Sequence, residues 1–295
     1  MHGINRRDFL KLTGVGGAVF VSGLAGCSTM GTAMAQQDFF FVQLSDTHWG
    51  FQGAPNPDAK GTLQKAVAAV NSLETQPDFI VFTGDLTHTT DDPKERRKRL
   101  AEFRQIVKEL KNPNVRFMPG EHDASLDRGE AWKEFFGEPY YTFEHKGVHF
   151  IAIDNVSDPA AAIGQVQLDW LKADLAKQGK DARIVVFTHR PLFDLYPQWD
   201  WATRDGAKAM ELLMPYRNVT VFYGHIHQEH HQMTGHIAHH SAKSLIFPLP
   251  PAGSTPKRVP VAWNPAEPYK GLGFRRVEAK LPAQYTLTEY PVRKV

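Results

Sequence analysis

Nine side chains able to bind a metal ion or move a proton stand directly behind short apolar runs. Asp46 and His48 follow FFFVQLS, Asp85 follows FIVFTG, and Glu121, His122 and Asp123 follow VRFMPG. His189 follows RIVVFT, and His225 and His227 follow VTVFYG. A lone histidine behind a strand is more often structural than a ligand, and a lone aspartate there often caps a turn. Coincidence at five such places is a different matter. Open α/β sheets bind their ligands beyond the carboxyl ends of their strands, so these positions describe one rim supplied with oxygen and nitrogen donors. Mixed carboxylate and imidazole ligands suit Fe, Mn or Zn and argue against Ca²⁺, which takes oxygen ligands alone. Two such ions about 3.5–4 Å apart can clamp a phosphoryl oxygen and lower the pKa of a bridging water until it becomes a nucleophile.

The rim needs strands and helices to build it. FFFVQLS reads as a strand, and Leu63, Val67, Val70 and Leu73 follow at helical spacing before Pro77. FIVFTG is the next strand. Residues 93–111 begin with Pro93 and carry Leu100, Phe103, Ile106, Val107 and Leu110 on one helical face. VRFMPG is short and β-like, and residues 140–146 and 147–154 read as a hairpin turning near Lys146-Gly147. Gln165–Lys177 reads as a helix, RIVVFT as a strand, 205–214 as a helix and VTVFYG as a strand. Alternating strands and helices predict a layered α/β architecture. The tail is different. Residues 229–247 suggest a hairpin about Gly235. Seven prolines between 248 and 268 make that stretch extended and irregular, a covering strap or lid, and QYTLTEYPV reads as an edge strand.

The motifs Asp46-Thr47-His48, Gly84-Asp85, Gly120-Glu121-His122-Asp123, His189 and Gly224-His225-Ile226-His227 resemble, in order and spacing, those of the calcineurin-like metallophosphoesterase family. That family includes purple acid phosphatases and cyclic-nucleotide phosphodiesterases, and the resemblance covers about residues 39–228. It implies a four-layer α/β/β/α sandwich of two mixed sheets with a dinuclear centre at strand carboxyl ends. It also implies a division of ligands. Asp46, His48 and His227 would serve one ion, Glu121, His189 and His225 the other, and Asp85 would bridge them. His122, steered by Asp123, would contact the phosphate or protonate the leaving oxygen, and the product would be that of a phosphomonoester or phosphodiester hydrolase. His88 and Arg190 are further candidates for contact with substrate.

One motif position departs from the family pattern, which has asparagine where this chain has Glu121. An asparagine offers an amide oxygen to a metal and an NH₂ donor to a phosphate, whereas an ionised glutamate only accepts. The glutamate also lowers the net charge of the site by one, which either favours a trivalent–divalent metal pair that restores it or favours a singly charged diester over a phosphate dianion; we expect the diester preference. The alternative is a noncatalytic metal-binding or scaffold protein of the cell envelope. The five histidines at 230, 231, 236, 239 and 240 read as a solvated hairpin. Trp49, Phe51, Tyr196, Trp199 and Trp201 read as core or rim packing.

Of 295 residues, 42% are hydrophobic and 22% charged, ordinary for a globular core. The formal net charge is +2, and Arg6, Arg7 and Lys11 against Asp8 account for it. The remainder is close to neutral, which gives no support for electrostatic steering to nucleic acid, and no nucleic-acid partner is expected. A single cysteine excludes an intramolecular disulfide. Residues 1–35 resemble a twin-arginine export signal, with Arg6-Arg7 and then a glycine-rich apolar stretch too short to span a bilayer. Two endings compete for it, a lipobox at Leu24–Cys27 that would anchor the chain through an acylated Cys27, and an Ala33-Met34-Ala35 cleavage site. Residues 36–295 would then form the exported domain, periplasmic or tethered to the membrane, with 248–295 as its proline-rich extension.

Overall fold

The computed structural model describes residues 38–280 and 284–293. The export-signal, Cys27 and Ala33–Ala35 readings lie outside the described residues.

Among the described residues, eleven strands form two sheets. In the first, the order is β11 (Gln284–Pro291), β10 (Gly273–Lys280), β1 (Phe39–Leu44), β2 (Phe79–Thr83) and β3 (Val115–Met118). β1, β2 and β3 run parallel, while β10 is antiparallel to β1 and to β11. In the second, the order is β4 (Tyr141–His145), β5 (Val148–Ala152), β6 (Arg183–Phe187), β7 (Asn218–Tyr223), β9 (Ile237–Ser241) and β8 (His230–Thr234). Its four central strands are parallel and its two edges antiparallel.

The period of two along each strand separates three cores. Phe39 and Phe41 of β1 face the second sheet and meet Phe79, Phe150, Phe187 and Phe222. Phe40, Val42 and Leu44 face the other way, onto α1 (Ala59–Asn71) and α2 (Pro93–Val107), through Leu63, Val67 and Phe103. On the far side, Ile151, Ile184, Val186 and Val221 pack against α5 (Gln165–Leu175) and α6 (Gly206–Leu213). The layers are therefore helix, sheet, sheet, helix. The continuous apolar runs exist because each strand is covered on both faces. Among the described residues no helix is long and apolar enough to cross a membrane.

The expected helices and strands form, with three additions. Two short helices, α3 (Glu121–Ala124) and α4 (Glu130–Phe136), follow β3. β10 lies inside the first sheet, although GFRRVEAK has no apolar run. Its Arg275 is fully buried, donating from Nε to Glu289 and from Nη2 to the Ser241 carbonyl. The hairpin about Gly235 is present, but it is not solvated throughout. His239 is wholly buried against Phe193, because alternate residues of β9 point into the helix layer.

Candidate metal centre

The loops after β1, β2, β3, β6 and β7 meet at one end of the sandwich and are laced together by their own backbone. Asp46 N–H donates to the Gly84 carbonyl at 3.0 Å, His48 N–H to that of Asp85 at 2.9 Å, and Gly224 N–H to that of His189 at 3.0 Å. Such tight reversals require unusual dihedrals. Asp46, His48, Asp85, His225 and His227 all have φ between 43° and 66°. This left-handed region is uncommon for residues other than glycine and costs on the order of 1–3 kcal/mol each when strained, so it persists only where the surroundings over-determine it. Two glycines are required by close approach. A Cβ on Gly84, whose φ is +96°, would lie 2.2 Å from His189 Nδ1, and one on Gly120 would lie 2.0 Å from Asp85 Oδ1.

Among the described residues, two four-residue groups of ligand atoms result, besides a smaller one of His48, His88 and His122. Asp46, His48, Asp85 and His227 form one, and Asp85, Glu121, His189 and His225 the other, each with all its atoms within 4.8 Å of one another. Asp85 belongs to both. Its Oδ2 is 3.4 Å from His48 Nε2 and 3.4 Å from His189 Nε2. Every metal-ligand residue expected from the sequence is in one of these groups.

The hydrogen bonds around the rings say what the groups want. His189 Nδ1–H donates to the Thr83 carbonyl at 2.7 Å, His227 Nδ1–H to that of Phe247 at 2.8 Å, and His225 Nε2–H to that of Asp200 at 2.9 Å. A carbonyl can only accept, so in the neutral ring that binds a metal each remaining nitrogen presents a lone pair to the cluster. His227 Nε2 faces His48 Nε2 at 3.3 Å and Asp46 Oδ1 at 3.3 Å. His189 Nε2 lies 2.9 Å from Glu121 Oε2 and His225 Nδ1 2.9 Å from Glu121 Oε1, all four atoms within the cluster. Against the penalty of burial, the Asp85 and Glu121 carboxylates raise His189 well above the usual imidazole range, so this crowd of carboxylates draws positive charge, which metal cations can supply in place of a proton. The carboxylates are in the right state. Burial works against ionising Asp85 and Glu121, and Glu121 raises Asp85 further, yet the surrounding histidines, and Arg190 for Glu121, hold both well below the usual carboxylate range. Burial pushes His48 well down, towards the neutral ring a ligand requires.

Asp46 is aimed by its neighbours: the Ser45 hydroxyl donates to Oδ2 at 2.5 Å and His225 N–H to Oδ1 at 3.2 Å. His48 Nδ1 lies 3.3 Å from His88 Nδ1, so His88 acts on a ligand rather than facing solvent, and its ring stacks on that of His122 at 5.0 Å. Burial lowers His88 to about 4.

Asp123 is not the group that steers His122. Its carboxylate accepts from the backbone N–H groups of Leu86, Thr87 and Gly120 and from the Thr87 hydroxyl, tying the loops after β2 and β3 together. Burial and the adjacent Asp85 push it up to about 7 against those donors. His122 is oriented instead by Thr89, whose N–H donates to Nδ1 at 3.1 Å, which leaves the proton on Nε2, 3.9 Å from Asp85 Oδ2.

Arg190 is no surface residue either. It is 5% exposed, and its Nη1 donates to Asp200 at the carbonyl (3.0 Å) and at Oδ1 (2.6 Å). Asn155, unmarked by any motif, accepts from the N–H groups of His189 and Arg190 and donates to the Arg190 carbonyl, so it shapes the loop after β6. Trp199 and Trp201 are buried, while Phe51 and Tyr196 pack on their cluster. Among the described residues, the histidines of the β8–β9 hairpin join no group of three or more ligands. His231 and His240 contact each other at 2.8 Å, and His230 meets the Tyr223 hydroxyl.

The family description "Calcineurin-like phosphoesterase" matches residues 41–229 of the chain. Serine/threonine-protein phosphatase CPPED1 of Mus musculus is 30% identical over 178 residues, covering 52% of this chain and 57% of that protein. A probable cyclic nucleotide phosphodiesterase of Rhodococcus erythropolis is 30% identical over 166 residues, covering 52% of each. The chain thus spans a little over half the length of these curated relatives. The purple acid phosphatase PPD1 from yellow lupin (Lupinus luteus) seeds shares the fold, with a TM-score of 0.59 at 12% identity over 83% of this chain and 50% of that one.

Proposed function

Because the chain belongs to the calcineurin-like phosphoesterase family, we propose that its two ligand groups hold a pair of Fe-, Mn- or Zn-type cations and that it hydrolyses small phosphate esters after export through the twin-arginine route. The observation that carries this reading is the sharing of Asp85 between two four-residue groups. Asp46, His48 and His227 would hold one ion, Glu121, His189 and His225 the other, with Asp85 between them. Bound there, the ions supply Lewis acidity and an activated water.

The remaining steps belong to the chain's own residues. His122 is the proton donor to the leaving oxygen: the Thr89 N–H on Nδ1 keeps its proton on Nε2, on the side of the cluster. His88 holds His48 so that Nε2 rather than Nδ1 faces the ions. Asp123 keeps the loops carrying Asp85 and His122 in register. Three carboxylates against two divalent ions leave a weakly positive site, which favours a singly charged diester over a doubly charged monoester.

The test is elemental analysis of the purified protein together with turnover of an aryl phosphodiester and an aryl phosphomonoester. Two metals per chain with faster diester turnover is the expected result. Two metals without turnover of any ester would favour the scaffold reading, for which Glu121 is the motive. His122→Ala is expected to keep both metals and to slow turnover by roughly 10²–10⁴-fold, as loss of a positioned acid does. Loss of metal from that variant would show that His122 is a ligand instead.

A further inference from the structure

The family's asparagine supplies two things at this position, a metal-binding oxygen and an N–H donor. Glu121 keeps the first and loses the second. Next to it stands a donor that nothing uses. Arg190 Nε is buried without a hydrogen-bond partner among the described residues, and Glu121 Oε2, 3.8 Å from it, sits closer to His189 Nε2, at 2.9 Å. An unpaired guanidinium N–H in a buried place is costly, so its retention beside the ligand groups calls for an acceptor that arrives with substrate. The other edge of the guanidinium is fixed by Asp200 through Nη1. That carboxylate is 57% exposed and balances the arginine's charge from the solvent side, while the Nε edge stays within the site.

We propose that Arg190 replaces the missing amide: its Nε–H donates to a non-bridging phosphoryl oxygen of the bound ester, and Asp200 takes up its charge so that the donor adds direction more than potential. Glu121 and Arg190 thus divide between two side chains what one asparagine does in the family pattern. This rests on the proposed phosphoesterase activity and names the residue through which that site grips phosphate.

The experiment measures inorganic phosphate as a competitive inhibitor, with metal content determined on the same samples. Arg190→Gln is expected to weaken phosphate binding about tenfold, the scale of a lost charge-assisted hydrogen bond, with both metals retained. Arg190→Lys keeps the charge and the reach to Asp200 but has no Nε–H, so it should show the same loss. In a Glu121→Asn background, where an amide is available again, Arg190→Gln should cost no more than about twofold, because the two donors are redundant. An equal penalty in both backgrounds, recovery by lysine, or loss of metal in step with phosphate affinity would each overturn the assignment. A wild-type protein with neither two metals nor ester turnover would instead remove the functional reading beneath it.

Discussion

Asp85→Ala is expected to empty both cation positions at once and to lower ester turnover by at least on the order of 10³-fold, since the chemistry of a two-ion site is lost with its shared ligand. No other residue belongs to both ligand groups. Its Oδ2 sits between His48 and His189, and its Oδ1 accepts the backbone N–H of His122 at 3.0 Å. Removing the carboxylate therefore takes negative charge from both ligand groups and frees the loop that presents His122. Losing any one of the terminal ligands leaves the other group complete, so Asp85 should stand apart in a series of alanine variants. The fold should survive, because the strands on either side of the loop pair through their backbones. Elemental analysis and steady-state kinetics check this. An Asp85→Ala protein that retains two ions per chain would remove the bridging role.

Phe41→Ala is expected to cost about 3–5 kcal/mol, the range for truncating a buried phenylalanine, against a total stability of about 5–15 kcal/mol for a folded domain. Phe41 is wholly buried between the sheets. It stacks on Phe79 at 4.9 Å and meets Phe150, Phe187 and Phe222 edge-on at 5.5–6.1 Å. Four of these five rings come from strands whose following loops carry metal ligands, those after β1, β2, β6 and β7. The cavity left by alanine should therefore loosen the site as well as the core. Urea unfolding followed by circular dichroism should give a lower midpoint with an unchanged slope, and metal affinity should fall in parallel. A loss below about 1 kcal/mol would mean that the sheets hold their spacing without this ring.

The parts legible in the sequence are those whose cause is local. β1, β2, β6 and β7 are apolar runs because both faces are covered, and the ligand residues behind them stand two to four residues beyond the strand end, where the loop turns onto the rim. β10 was not legible. Its residues alternate between core and charge, and the burial of Arg275 depends on Glu289 of β11 and on the Ser241 carbonyl, partners that folding alone brings near. The second layer of the site was hidden for the same reason. Thr83, Phe247 and Asp200 orient ligand imidazoles through their main-chain carbonyls, and a carbonyl has no residue type to read. Asp123 was recognised as part of a motif, but its acceptors turned out to clasp Leu86 and Thr87 instead of His122, because those N–H groups are exposed by the reversal after Asp85. Arg190 was visible only as a neighbour of His189, and its burial follows from the sharp turn that Asn155 enforces.

The placing of β10 bears on how the molecule is made. β1 is made well before one of its two flanking partners, which lies more than 220 residues later, beyond the 41–229 stretch shared with the family. Until β10 is made, β1 has an open flank capable of joining a stranger's backbone. A fragment cut at residue 229 would keep the ligand residues while leaving that flank bare.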